Sequence, residues 1–449
     1  MSAIDSEIFG PLFVDADIAA LFTDRALAQR LVQVEIALAK AEAKLDLIPQ
    51  AAAEAIAKTR ADLIDPGALA GGTARSGFPI IALVEDIRRQ SGTEAAPYVH
   101  WGATTQDIMD TAAVLQMRDV MAMVKTRIAE IGRQLATLAH RHRATVMAGR
   151  THSQQALPVT FGWKAAAWLA PLVRHTERLD ELSGRLLVVQ FGGASGTLAA
   201  LAGQGLAVAK ALADELGLAV PLMPWHAQRD TVAEFASWLS LVTGTLGKMA
   251  QDIILLAQSE VAELAETAEE GRGGSSTMPQ KRNPITSELI LAAARMNAAL
   301  LSAVHNAQIQ EHERGTHGWQ VEWLSLPQMI LVTSGALKHA ASAAKNLAVD
   351  EQRMRGNIAR ENDVILAEAA VFALASAMPR TEAEECVKQA ITVALAQHRP
   401  LIEVVREITA ARIPEGSLDW QALGRPENYL GETGKLIDAV MERAKRTWP

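Results

Sequence analysis

The sequence predicts an all-α protein whose centre is a bundle of long helices. Proline gives the first sign: none occurs between Pro97 and Pro158, and none between Pro224 and Pro279. Apolar spacing within those gaps gives the second. Val114, Met117, Met121, Val124, Ile128, Ile131, Leu135 and Leu138 alternate steps of three and four, as do Val232, Phe235, Leu239, Val242, Leu246, Met249, Ile253 and Leu256. That spacing paints one face of a helix, and each stripe runs ~36 Å at ~1.5 Å per residue. Composition gives the third. Hydrophobic residues are 49% of the chain but aromatics only 4%, which favours helix over aromatic-rich strand.

Along the chain, Leu31, Val34, Leu38, Ala41 and Leu45 mark a helix that ends before Pro49. Gly67 to Pro79, rich in glycine, reads as loop. Three polar, glycine-containing segments interrupt the helical pattern: HWGATTQD at 100–107, GRTHSQQALP at 149–158 and GRGGSSTMPQKRNP at 271–284. Beyond about residue 350, Pro379, Pro400, Pro414 and Pro426 divide shorter helices. The expected organisation is an N-terminal mixed helical domain over 1–105, a central long-helix bundle over 106–350, and a small helical domain over 351–449.

Charge and cysteine narrow the class. The 449 residues carry 43 Lys plus Arg against 51 Asp plus Glu, a formal charge of −8. An acidic surface does not suit phosphate neutralisation, so no nucleic-acid partner is expected. The single cysteine, Cys386, rules out an internal disulfide framework and a cysteine-rich zinc site. MSAIDSEIFG has acidic residues where a signal peptide has basic ones, and no apolar run approaches ~20 residues. The expectation is a cytoplasmic protein without a membrane partner.

The polar chemistry gathers at the ends of the long helices. In 271–284, Lys281 and backbone amides precede a helix start, with Asn283 as its N-cap and Pro284 as its first residue. Such a place attracts anions, although the same composition also serves a plain solvated loop. The order of a Walker loop is absent. His140 and His142, in HRHR, read as a solvated basic helix end. His312 and His317 lack the HExxH spacing, and no metal site is expected.

GSSTMPQKRNP at 274–284 resembles the signature of the fumarase/aspartase superfamily, G-S-x-x-M-P-x-K-x-N, at every fixed position. HWGATTQDIMDTA at 100–112 and GRTHSQQALPVTFG at 149–162 resemble that superfamily's first and second blocks, in order. GGASGT at 192–197 and QRD at 228–230 also fit. The resemblance implies roles for individual residues. Ser275 would move the proton at carbon, helped by nearby positive charge and loop amides, since a free hydroxyl is a poor base. His152 would be the second block's catalytic histidine, with Glu288 orienting it. His100 would be a further catalytic histidine, as in the adenylosuccinate lyase branch. Lys281 would bind a substrate carboxylate and Asn283 the substrate. Thr104, Thr105, Gln154, Gln228 and Ser276 would contact substrate.

Enzymes of this superfamily make or break a C–O or C–N bond β to a carboxylate. QEHERGTHGWQVEWLSLPQM at 310–329 bears on which bond. Adenylosuccinate lyases share the HER but continue with a serine pair. HERG followed by GWQxEW resembles instead a branch of bacterial cycloisomerases that close a carboxylated muconate into a lactone during protocatechuate breakdown. The implied substrate is a small tricarboxylate, with no metal or organic cofactor. Arg282 and Arg314 are candidates for its further carboxylate contacts. A purine-nucleotide lyase and a non-catalytic structural relative stay open as alternatives. The resemblance also implies a homotetramer with active sites shared between subunits, in a tetrameric helical core. The two long stripes point the same way, as more seam than one chain's few long helices would cover.

Overall fold

The computed structural model describes residues 2–267, 278 and 281–449. Ser275 and Ser276 lie outside them. Helices of two turns or more are α1 (Asp24–Lys44), α2 (Pro66–Ser76), α3 (Ile80–Ser91), α4 (Thr105–Arg141), α5 (Phe161–Leu186), α6 (Gly205–Leu216), α7 (Asp230–Leu256), α8 (Ile285–Ala307), α9 (Gly318–Lys345), α10 (Glu351–Arg360), α11 (Ala367–Leu374), α12 (Arg380–Gln397), α13 (Leu401–Thr409) and α14 (Thr433–Thr447). Among the described residues the strands are short. β1 (Val146–Thr151) pairs antiparallel with β2 (Gln154–Thr160), and β3 (Leu264–Glu266) with β4 (Leu347–Val349). The fold is all-α, as expected.

The chain divides into two compact units. One comprises residues 1–128, 175–244 and 292–338; the other comprises 129–174, 245–291 and 339–449. In the first, the apolar stripe of α1 packs on α6, and Leu31, Leu38, Leu83, Leu115 and Leu212 join one core. The glycine-rich stretch read as loop is helix α2. Its punctuation is conventional: Asp65 accepts from the amides of Gly67 and Ala68, Pro66 opens the helix, and Gly77 closes it at φ 83°. The interior glycine has a packing reason. A Cβ on Gly72 would stand 2.5 Å from that of Ala82, so its absence lets α2 lie close on α3.

In the second unit the GRTHSQQALP segment forms most of the β1–β2 hairpin. Ile358, Leu374, Val387, Leu401 and Val405 form one core within it, together with Val146 and Ala148 of β1. Gly132 leaves room for the ring of Trp448, which a Cβ there would meet at 2.2 Å. His142 is not solvated. It is buried, and its Nδ1 lies 3.0 Å from a Glu351 oxygen.

Both long stripes are buried along their whole length within one chain, from Val114 to Leu138 and from Val232 to Leu256. The idea that these seams need other subunits is therefore corrected. The exposed apolar surface lies elsewhere. Only 28% of the most apolar stretch of α8 is buried, and Met296 on that helix is 44% exposed.

Candidate active site

The first unit gathers the HWGATTQD block, the GGASGT segment and His226, two residues before the QRD motif, around one carboxylate. Thr104 precedes α4, and Asp107 sits in that helix's first turn. The Asp107 carboxylate reaches back to the Thr104 amide at 3.0 Å, the reciprocal arm of a capping box. It also accepts from the amides of Gly192 and Gly193, each at 2.9 Å, and lies 2.8 Å from His226 Nε2. A buried carboxylate that accepts this many N–H bonds fixes whatever donates to it. Three segments distant in sequence are thereby held in one geometry.

Arg314 joins this cluster. Its Nη1 donates to Thr104 Oγ1 at 2.8 Å, and its Nε to Gln106 Oε1 at 3.4 Å. Gln106 in turn donates to Asp110 and to the His226 carbonyl. Thr105 opens α4, half-buried beside Thr104, whereas Gln228 is exposed on the turn before α7. His100 precedes Thr104 by four residues, with its Nδ1 2.7 Å from Glu35 Oε1. Burial disfavours its charge, but the charge and hydrogen bond of Glu35, with Asp107 adding to them, raise its pKa above the ordinary histidine value.

Arg229 sits deeper. It donates to Asp110 at 2.7 and 3.1 Å and to Glu322 at 2.8 and 2.5 Å, and its guanidinium lies over the Trp225 ring. Burial raises the Glu322 pKa, and the Arg229 bonds pull against that rise. Trp319 Nε1 donates to Asp110 at 3.0 Å. The GWQxEW stretch, read from sequence as a mark of substrate branch, thus supplies Trp319 and Glu322 to a buried ion cluster. Its direct work is structural.

In the second unit His152 and Ser153 form the two-residue tip of the β1–β2 hairpin, at φ 48° and 65°. Positive φ at both central positions is the I′ turn, whose twist suits a hairpin but which glycine or asparagine usually occupies. The turn presents His152 and Gln154 exposed. Its base is fixed by Arg150, whose two amino groups meet the fully buried Glu263 at 2.9 and 2.5 Å, with Asn357 donating to the same carboxylate at 2.8 Å.

Lys281, Arg282 and Glu288 are exposed, and Asn283 is half-buried. Helix α8 begins at Ile285, one residue later than expected, and Asn283 does not cap it. Glu266 of β3 does: its carboxylate accepts from the amides of Thr286 and Ser287 at 3.0 and 2.8 Å, and from the Ser287 hydroxyl at 2.6 Å. The anion at this helix start is the protein's own. Both His152 and Glu288 lack a side-chain hydrogen bond among the described residues, so one chain does not form the pair that the resemblance implies.

Sequence reasoning passed over Glu35, Asp107, Asp110, His226, Glu266 and Arg229. Asp107 had a local signal, an acidic residue three after a threonine at a helix start. The others are joined to their partners only by the fold.

The comparisons with known proteins define the class. A family model described as lyase matches residues 14–296, and the chain belongs to that family, within the fumarase/aspartase superfamily. The chain is 41% identical to a 3-carboxy-cis,cis-muconate cycloisomerase of Acinetobacter baylyi, over 98% of this chain and 99% of that one. It is 44% identical to the enzyme of the same name from Pseudomonas aeruginosa, over 97% and 96% respectively. The crystal structure of 3-carboxy-cis,cis-muconate lactonizing enzyme from Pseudomonas putida superposes with a TM-score of 0.92 at 39% identity, covering 99% of this chain and 100% of that one.

Proposed function

We propose that this protein is a 3-carboxy-cis,cis-muconate cycloisomerase of protocatechuate (β-ketoadipate) catabolism, acting in the cytoplasm. The observation that carries the reading is near full-length likeness to enzymes of that name, with the three superfamily blocks intact in this chain. In the lactonising direction one substrate carboxylate oxygen adds to a carbon–carbon double bond of the same molecule, and a proton is added to the neighbouring carbon. One C–O and one C–H bond form as the π bond is lost, and the step takes up one proton, supplied from solvent, as a carboxylate becomes an ester.

Ser275 is assigned the proton transfer at carbon, with Ser276 beside it. As the carboxylate adds, charge collects on the carboxylate next to the carbon that will take the proton, where Lys281 and Asn283 bind it until protonation at carbon discharges it; fixed cations aimed at developing charge are the main means of lowering such a barrier. Arg314, already aligned on Thr104, and Arg282 serve the other carboxylates. In the reverse reaction the leaving group is a carboxylate, stable as an anion near neutral pH. It needs little general acid, so His152, oriented by Glu288, binds and orients more than it donates. Thr105, Gln154 and Gln228 complete the contacts.

The reading includes a homotetramer with sites shared between subunits, around the central bundle of the division into 1–105, 106–350 and 351–449. Its support is the exposure of His152 and Lys281 in one chain, and the uncovered apolar face of α8 around Met296.

An absorbance assay with 3-carboxymuconate and adenylosuccinate as parallel substrates tests the function. Turnover of 3-carboxymuconate alone is expected. Turnover of adenylosuccinate alone would replace the reading with a nucleotide lyase, and turnover of neither would favour a non-catalytic relative.

A further inference from the structure

His100 is held by one ring nitrogen. Its Nδ1 lies 2.7 Å from Glu35 Oε1, and among the described residues Nε2 has no protein partner. Glu35 comes from the middle of α1, far from His100 in sequence. Its side chain is 1% exposed, against 18% for the imidazole. A carboxylate so buried is costly unless a cation or donor compensates it. Here the compensation is His100, because Glu35 Oε2 is buried with no partner. The backbone fixes the ring from the other side: His100 has φ 62°, a region that a residue with a side chain enters at a cost.

The charged groups facing His100 are Glu35 on α1, Asp107 on α4 and Arg88 on α3. Two are anions and one is a cation, so the surroundings favour imidazolium. Glu42 lies two helical turns beyond Glu35 on the same face of α1. Both its oxygens are buried without partners. Burial and the charge of Glu35 hold its proton to about pH 9. Of the two carboxyls, only Glu35 faces a histidine.

We propose that Glu35 is a positioning residue of the reaction: its contact with Nδ1 fixes the His100 ring so that Nε2–H is presented to a substrate carboxylate. This rests on the cycloisomerase reading and assigns to His100 one of the substrate's carboxylates. Glu35 itself touches no substrate.

The test uses the full-length protein, its Glu35→Gln variant, and tricarballylate as a non-reacting tricarboxylate probe. The ratio of wild-type to variant affinity is measured from about pH 5.5 to about pH 9, which cancels the probe's own ionisation. His100 is titrated in ligand-free protein by NMR of labelled histidine, with His100→Asn to assign its signal. An adjacent anion favours the charged imidazole. The variant should therefore match wild type near pH 5.5 and fall about tenfold behind at pH 7.5, as its imidazole loses charge earlier. Equal weakening at every pH would mean a merely structural role and would overturn the proposal. So would a wild-type His100 that titrates at or below the ordinary histidine value, a result that stands even if Glu35→Gln does not fold. Because the titration needs no substrate, absence of 3-carboxymuconate turnover would sink the cycloisomerase reading and leave the Glu35–His100 link separately decided.

Discussion

Glu42 is the clearest case of an acid kept neutral by its surroundings. The folded protein holds its proton to about pH 9, whereas an unfolded chain releases it near the ordinary glutamate value of about 4.3. The folded pKa is raised, so the folded state binds the extra proton between those limits, and stability falls as pH rises through that window. Glu42→Gln removes the penalty. Thermal melts of the two proteins should nearly coincide near pH 5, with the variant ahead by a few kcal/mol near pH 8. A gap that does not grow with pH would show that Glu42 is ionised in the fold. Nothing in the sequence marks Glu42, because one glutamate in an apolar stripe looks like any other until its burial is known. Arg229 shows the same limit. QRD was recognisable as a motif, but the partners of Arg229, Asp110 and Glu322, lie about a hundred residues away on either side, and no local pattern links them.

Helices α2 and α3 pack at a distance set by one missing methyl group. Gly72→Ala would ordinarily favour a helix by about 1 kcal/mol. Here the new Cβ meets that of Ala82 at 2.5 Å, and overpacking of this kind costs about 1–3 kcal/mol. Urea unfolding should show Gly72→Ala destabilised, and Ala82→Gly in the same chain should recover part of the loss. A Gly72→Ala protein more stable than wild type would mean that the helices part without cost. This helix was missed because glycine counts against helix on propensity, and its use here is tertiary. The β1–β2 hairpin was missed for a related reason: its two-residue tip carries His152 and Ser153 rather than the usual glycine or asparagine. The long stripes of α4 and α7 were legible because a 3.6-residue period repeated over many turns has no competing reading.

Of the candidate residues, His100, Thr104, Thr105, Gln228 and Arg314 lie in one compact unit, and His152, Gln154, Lys281, Arg282, Asn283 and Glu288 in the other. The blocks themselves were legible in the sequence, since each keeps its polar residues at fixed spacing. How they would meet in the proposed assembly was not, because that depends on which surfaces the subunits would share. The seam argument for a tetramer failed on the burial of both stripes, and the proposal of that assembly rests instead on the exposed apolar face of α8. Subunit complementation tests the shared site most directly. Ser275→Ala and His152→Ala proteins, each expected to lose orders of magnitude in kcat, are mixed under conditions that let subunits reassort, and exchange is verified by native mass. Recovery of part of the wild-type rate on 3-carboxymuconate is predicted, because some sites in mixed tetramers draw intact Ser275 and intact His152 from different chains. Verified exchange with activity still at the level of the single variants would contradict the shared site.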